Sequence, residues 1–254
     1  MNSLPDNLHL PGALAQSADP DADGVARWSW DLPGQAPLTL FMVRFDASRF
    51  GLDQFARSGL SCPPTIVNSV QKRQAEFYFG RACARAALRA LGMPATPVGV
   101  GVAREPLWPP GAIGSITHKK KAAAAAVLGA GHYRGIGIDI EDVVESASAR
   151  DAMLAMVVSP RELALLRQPE LRMPLDVALT LVFSAKESFF KACYPTVQRY
   201  FDFDALDLQG IDAQRRTISF ALRETLCAPF VPGMVVSVAF ELLAAGEVIT
   251  LFLW

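Results

Sequence analysis

Hydrophobic and polar positions recur along this chain in two periods, and the two periods sort most of it into helices and strands. From Val70 to Leu91 the apolar residues Phe77, Ala84, Leu88 and Leu91 fall at helical spacing, and Gly92 with Pro94 supplies a stop. Ahead of this helix only Leu38 to Phe45 reads as a strand. Residues 1 to 64 hold seven of the 18 prolines, with Asp19, Asp21 and Asp23 beside Pro20, and read as loop-rich and peripheral. Four strand-like runs follow the helix: Pro97 to Ala103, Gly114 to His118, Ala122 to Leu128 and Tyr133 to Glu141, punctuated by Pro109, Pro110, Gly111, Gly129 and Gly131. Ser159, Pro160 and Glu162 form a capping box with proline at the first helical position, opening a helix to Arg167. A further helix covers Val177 to Tyr194, with a break expected near Ser184. Strands at Thr217 to Arg223, Met234 to Leu243 and Glu247 to Trp254 complete the chain, the last two joined through Gly246. Helix followed by strands occurs twice, which predicts an α+β fold. Two similar halves, 1–134 and 135–254, would stack as a pseudo-dimer of antiparallel strands with packed helices.

Composition narrows the function classes. At roughly 150 residues per domain, 254 residues make one large domain or two small ones. Hydrophobic residues at 51% against 19% charged exclude disorder over most of the length. Lys and Arg number 24 against 25 Asp and Glu, so no global field favours nucleic acid or an anionic membrane. Any anion site must be local. The longest stretch free of charged side chains, Thr225 to Phe240, contains Pro229, Pro232 and Gly233 and is shorter than the ~20 residues of a spanning helix. An N-terminus carrying Asn2, Ser3 and Asp6 lacks the basic start of a secretory signal, so a cytoplasmic location is expected. Cys62, Cys83, Cys193 and Cys227 are far apart, and His9, His118 and His132 do not fall at zinc-ligand spacing. Reduced thiols are the expectation.

Four segments carry candidate chemistry. In Gly135-Ile136-Gly137-Ile138-Asp139-Ile140-Glu141-Asp142, strand alternation sends the three isoleucines to a core and projects Asp139 and Glu141 together from the other side. Such a pair is either part of a solvated strand face or a site for a hard cation such as Mg²⁺, which relieves the repulsion between the carboxylates. In Phe183-Ser184-Ala185-Lys186-Glu187-Ser188-Phe189-Phe190-Lys191, Ser184 with Glu187 has the form of a capping box, and Glu187 with Lys191 that of an i, i+4 pair. Alternatively Glu187 is a third metal carboxylate with Lys191 one turn on, beside a bound phosphate. The segment Trp108 to Lys121 contains Gly114-Ser115-Ile116-Thr117-His118 but no Gly-x-Ser-x-Gly elbow, which argues against a serine hydrolase. Finally Lys72-Arg73-Gln74-Ala75-Glu76-Phe77-Tyr78-Phe79-Gly80-Arg81-Ala82-Cys83-Ala84-Arg85 places Arg73, Arg81 and Arg85 so that a basic stripe can form on one helix face. All six lysines, Lys72, Lys119, Lys120, Lys121, Lys186 and Lys191, lie in or beside these segments. Such clustering suits a polyphosphate-binding surface, although three consecutive lysines also make a solvated turn.

In this order the segments resemble the 4′-phosphopantetheinyl transferases of the surfactin-synthetase type, most nearly their siderophore-synthesis, enterobactin-type branch. The resemblance is carried by GSITH, GIGIDIE and FSAKESFFK, with KRQAEFYFGRACARAAL and REPLWPPG upstream, and spans Lys72 to Lys191. It implies an enzyme that moves the phosphopantetheine arm of coenzyme A onto a serine of an apo acyl or peptidyl carrier protein, releasing adenosine 3′,5′-bisphosphate. By the resemblance Asp139, Glu141 and Glu187 are the Mg²⁺ ligands, and Glu187 takes the proton of the carrier serine directly or through water. Lys191 and Lys186 stabilise the departing phosphate. Thr117 and His118 contact coenzyme phosphates, joined by Lys72, Arg73 and Arg81, with Arg104 near the adenine. Thr117 stands where serine is usual and Phe183 where tryptophan is frequent; neither change removes a required chemical group. The segment Asp151 to Val158, with Met153, Leu154, Met156 and Val157, is either core or a carrier-docking surface. A monomer is expected, with no nucleic-acid or membrane partner. Two rival readings remain: a metal-dependent phosphohydrolase acting on a nucleotide diphosphate, and a coenzyme A-binding or carrier-binding module without turnover.

Overall fold

Two sheets, each with one long helix laid across it, organise the chain. The computed structural model describes residues 14–19, 21, 24–32, 36–94, 96–243 and 246–254, which divide into units 14–136 and 137–254. The N-terminal residues read above for a secretory signal, together with His9 and Asp23, lie outside the described residues. Helices combined with antiparallel strand pairs make the chain an α+β protein, as its pattern predicts.

The first unit contains β1 (Leu14–Ala18), β2 (Ala26–Trp30), β3 (Leu38–Arg44), α1 (Asp53–Ser58), α2 (Pro64–Val67), α3 (Gln71–Ala90), β4 (Gly99–Val100), β5 (Pro106–Leu107), β6 (Ala112–Lys119) and β7 (Ala122–Gly129). Its sheet runs β1-β2-β3-β7-β6 and is antiparallel at every pairing. Helix α3 crosses β3, β6 and β7. Small residues let it lie close, because Ala123 and Ala125 of β7 share a core with Ala75, Ala82, Ala84 and Ala87 of α3, all of them buried. Beside Gly80 a Cβ would approach the Ile116 Cγ2 to 2.9 Å, so glycine sets the spacing of α3 over β6. Strands β1 and β2 escape the sequence pattern. Four of the five β1 residues are exposed, so the strand shows no apolar alternation.

The second unit takes β8 (Ile136–Asp142), whose first residue is the last of unit one, then α4 (Ala147–Val157), α5 (Pro160–Leu166), α6 (Leu175–Val197), β9 (Leu206–Asp212), β10 (Thr217–Leu222), β11 (Val235–Leu243) and β12 (Glu247–Leu253). Its sheet order is β8-β12-β11-β10-β9. The capping box at Ser159 and Glu162 forms as expected. The expected break at Ser184 does not occur: α6 continues through it, because the Ser184 hydroxyl pairs with Thr250 Oγ1 at 2.9 Å instead of capping a helix. Ser188 adds a second buried contact to Thr250 Oγ1 at 2.7 Å. Around Phe189, fully buried, gather the rings of Phe201, Phe230 and Phe252. These polar and aromatic contacts fix α6 on β12. Helix α4, capped by Ser146 accepting from the Ala149 N–H, and strand β9 are elements the pattern leaves unassigned. Among the described residues no helix is long and apolar enough to cross a membrane.

Candidate functional site

The acidic group of unit 137–254 is built by one close approach. Gly137, Asp139 and Glu141 alternate onto the same face of β8. A Cβ on Gly137 would stand 1.8 Å from the Ser188 carbonyl and 2.7 Å from the Ala192 nitrogen, so only glycine lets β8 lie directly against α6. Two residues further along β8 the Lys191 ammonium donates to Asp139 Oδ1 at 2.5 Å and to the Ile138 carbonyl at 3.3 Å. Asp139 is 3% exposed. Burial, then the neighbouring Asp139 charge, push the Glu141 carboxyl from its ordinary 4.5 up to about 8, with Lys191 pulling the other way and Glu187 adding repulsion. Burial likewise raises Glu187, opposed by Lys191 and reinforced by Asp139. Three carboxylates from two distant stretches thus interact electrostatically around a single ammonium. Glu187 feels the Lys191 charge one turn on, as the i, i+4 spacing predicts, while the ammonium makes its 2.5 Å contact with Asp139.

A donor set of three carboxylates, two of them raised by burial and mutual repulsion, fits a hard divalent cation. Among the described residues no three His, Cys, Asp or Glu side chains already stand grouped as a metal cage. The cation paired with Asp139 is Lys191, whose side chain is 27% exposed.

The cationic group of unit 14–136 surrounds a cavity of about 480 Å³ between α3, β6 and the β4–β5 loop. Its titratable lining is Arg73, Glu76, Arg81, Arg104 and His118, and its apolar lining includes Val100, Pro106, Phe77 and Ile116. Arg73 Nη1 bonds to His118 Nε2 at 2.7 Å. Glu76, whose side chain is 10% exposed, lies 3.6 Å from Lys72, Arg73 and His118 alike. Arg81 stacks over the Phe77 ring at 4.8 Å and donates to the Gly99 carbonyl at 3.0 Å, while its buried Nε has no partner among the described atoms. Burial, with Arg73 nearby, lowers its pKa to about 10, still well above neutrality. A buried guanidinium with a spare donor, flanked by an apolar wall, suits a phosphorylated nucleoside.

The structure redistributes several residues of the sequence-based list. Arg73, Arg81, Arg104 and His118 come together, as do Asp139, Glu141, Glu187 and Lys191. Thr117 does not join His118: adjacent strand residues face opposite ways, and Thr117 is 2% exposed away from the cavity. Lys72 is half-exposed, pairs with Glu76 and is outside the cavity lining. Lys186 is corrected from phosphate ligand to internal strut. Its ammonium is buried, donating to Glu162 Oε1 and to the Val157 carbonyl, both at 2.8 Å. Arg85 leaves the basic stripe to bond the Ser58 carbonyl at 2.6 Å. Lys119 is buried in β6, whereas Lys120 and Lys121 form the exposed β6–β7 turn. Glu76 was missed; a carboxylate three and four residues beyond Arg73 and Lys72 is the signal that marks it. On α4, Met153 and Leu154 pack on the core, Val157 is buried, and Met156 stands 66% exposed.

Comparison with known proteins identifies the family of the chain. Residues 63–128 match the family profile described as the 4′-phosphopantetheinyl transferase N-terminal domain, and residues 135–238 that of the 4′-phosphopantetheinyl transferase superfamily. The chain is 39% identical over 171 residues to 4′-phosphopantetheinyl transferase Svp of Streptomyces mobaraensis, covering 67% of this chain and 65% of that protein. To 4′-phosphopantetheinyl transferase Npt of Nocardia iowensis it is 38% identical over 139 residues, 55% and 60% of the two chains. To enterobactin synthase component D of Salmonella typhi it is 37% identical over 178 residues, 70% and 68% of the two chains. The chain therefore spans just under two thirds of the first two relatives and slightly more of the third. On these matches the chain belongs to the 4′-phosphopantetheinyl transferase superfamily.

Proposed function

We propose that this chain transfers the 4′-phosphopantetheine arm of coenzyme A to a serine of an apo acyl or peptidyl carrier protein, releasing adenosine 3′,5′-bisphosphate. The observation that carries the reading is the 2.5 Å pair of Lys191 with Asp139, with Glu141 and Glu187 within electrostatic reach of both. Asp139, Glu141 and Glu187 would hold Mg²⁺. When bound, that ion neutralises charge on the diphosphate and on the leaving phosphate. Glu187, raised by burial, is suited to accept the serine proton as general base. The serine oxygen then bonds to the phosphorus of the arm as the diphosphate P–O bond breaks. Lys191, released from Asp139, donates to the departing phosphate. The Arg73, Arg81 and Arg104 cluster with His118 holds the phosphorylated nucleoside. Met156 on α4 supplies an exposed apolar contact for the carrier.

The test is to incubate the protein with coenzyme A, Mg²⁺ and a panel of apo acyl and peptidyl carriers and to read intact carrier mass. The expected result is addition of one phosphopantetheine at a serine. Cleavage of the coenzyme diphosphate without any carrier would instead indicate a phosphohydrolase, and coenzyme binding with no turnover would indicate a binding module.

A further inference from the structure

Glu76 is an unexpected neighbour for a bound phosphate. Its side chain is 10% exposed, lines the cavity, and brings a negative charge within 3.6 Å of the cations that a phosphate would use. A carboxylate there weakens anion binding by repulsion unless it does something else.

The hydrogen bonds say what that is. Arg73 can only donate, so its 2.7 Å contact makes His118 Nε2 the acceptor and places the imidazole proton on Nδ1. Nδ1 is the atom that faces Glu76 Oε2. In this geometry, then, His118 Nε2 carries no proton and occupies one of the Arg73 donors. Among the described residues, the charged groups that line the cavity with it are Arg73, Glu76 and Arg81 on α3 and Arg104 on the β4–β5 loop, with Lys72 reaching the other carboxylate oxygen of Glu76. The cations among them outnumber the one carboxylate and disfavour a second proton on the imidazole. A phosphate dianion reverses that balance.

We propose that a phosphorylated nucleoside entering this cavity draws a proton from solvent onto His118 Nε2 and frees Arg73 for the phosphate, with Glu76 as the positioning residue that holds the resulting imidazolium. The N–H bond at Nε2 forms with the incoming proton, and the Arg73 to Nε2 hydrogen bond is lost. Both groups then donate to the anion, so one ligand gains two charged donors from a pair that had been bonded to each other. The inference rests on the reading of the cavity as the nucleoside site given above.

Calorimetric titration with adenosine 3′,5′-bisphosphate, free of divalent ions, separates the two. At about pH 8 an imidazole is ordinarily neutral and a phosphate monoester is already dianionic, so the ligand contributes essentially no proton exchange and any uptake on binding belongs to the protein. Run in two buffers of different ionisation enthalpy, binding to the wild type is expected to take up close to one proton. His118→Gln should abolish the uptake. Glu76→Gln should cut it by more than half and raise the coenzyme A KM about tenfold, the loss of one charged contact, with kcat retained. A merely structural Glu76 would lower the melting temperature of Glu76→Gln and leave its proton count unchanged, which would overturn the role given to it. Wild-type binding with no proton exchange overturns the inference and leaves the nucleoside site standing; absence of binding overturns both.

Discussion

Helices α3 and α6 carry the two functional groups in opposite charge. On α3 two cations, Lys72 and Arg73, close around one buried carboxylate, Glu76, with the facing imidazole of His118 completing the group. On α6 and the adjoining β8 one ammonium, Lys191, pairs with Asp139 and acts electrostatically on Glu141 and Glu187. In each case the minority charge holds the majority in place without neutralising it. The cationic group is left able to accept an anion and the acidic group a cation. Each arrangement depends on a glycine: Gly80 seats α3 on β6, and Gly137 seats β8 on α6.

The comparison breaks most visibly at the acidic group. Asp139→Ala or Glu187→Gln should lower the transfer rate by ~10³-fold or more, since metal and general-base contributions are each large; steady-state kinetics at saturating Mg²⁺ reads this, and a near-wild-type rate for Glu187→Gln removes it from both roles. On the cationic side, Arg81→Met should raise the coenzyme A KM by roughly 10- to 100-fold, the loss of a buried charged donor, with kcat changed far less.

The pH dependence sharpens the contrast. A carboxyl raised from 4.5 to about 8 stabilises the fold in its protonated form, and that contribution fades as pH rises through about 8. Metal-free protein should therefore lose stability as pH climbs from about 5 to about 8 and level off above that. Because Mg²⁺ needs the ionised form, its apparent affinity should fall toward tenfold per unit below about pH 8. Thermal melts with and without Mg²⁺ across that range measure both. Smallest is the docking contact: Met156→Glu should raise the carrier KM several-fold, by about 1 kcal/mol or less, and leave coenzyme A affinity unchanged.

How far the sequence could be read depended on whether a residue's partner was local. Helix α3, the alternation of β8 and the capping box opening α5 are set by neighbours a few residues away, and all three were legible. The Ser184 break failed because its hydroxyl is claimed by Thr250, 66 residues distant. Lys186 reads like its neighbour Lys191 in sequence, yet the helix turns it inward to Glu162 while Lys191 reaches Asp139. Thr117 and His118 are adjacent in the chain and so face opposite sides of β6, a consequence of strand period that a motif alone does not express. Glu76 went unrecognised because its meaning lies in His118, on a different element.

Manganese, a spectroscopic stand-in for Mg²⁺, tests the inverted charge design most directly. Electron paramagnetic resonance of Mn²⁺ titrated into the protein with coenzyme A should show one bound ion in the wild type and none in an Asp139→Asn, Glu141→Gln, Glu187→Gln variant, while adenosine 3′,5′-bisphosphate still binds that variant. Equal Mn²⁺ binding by the wild type and the variant would contradict the assignment of these carboxylates.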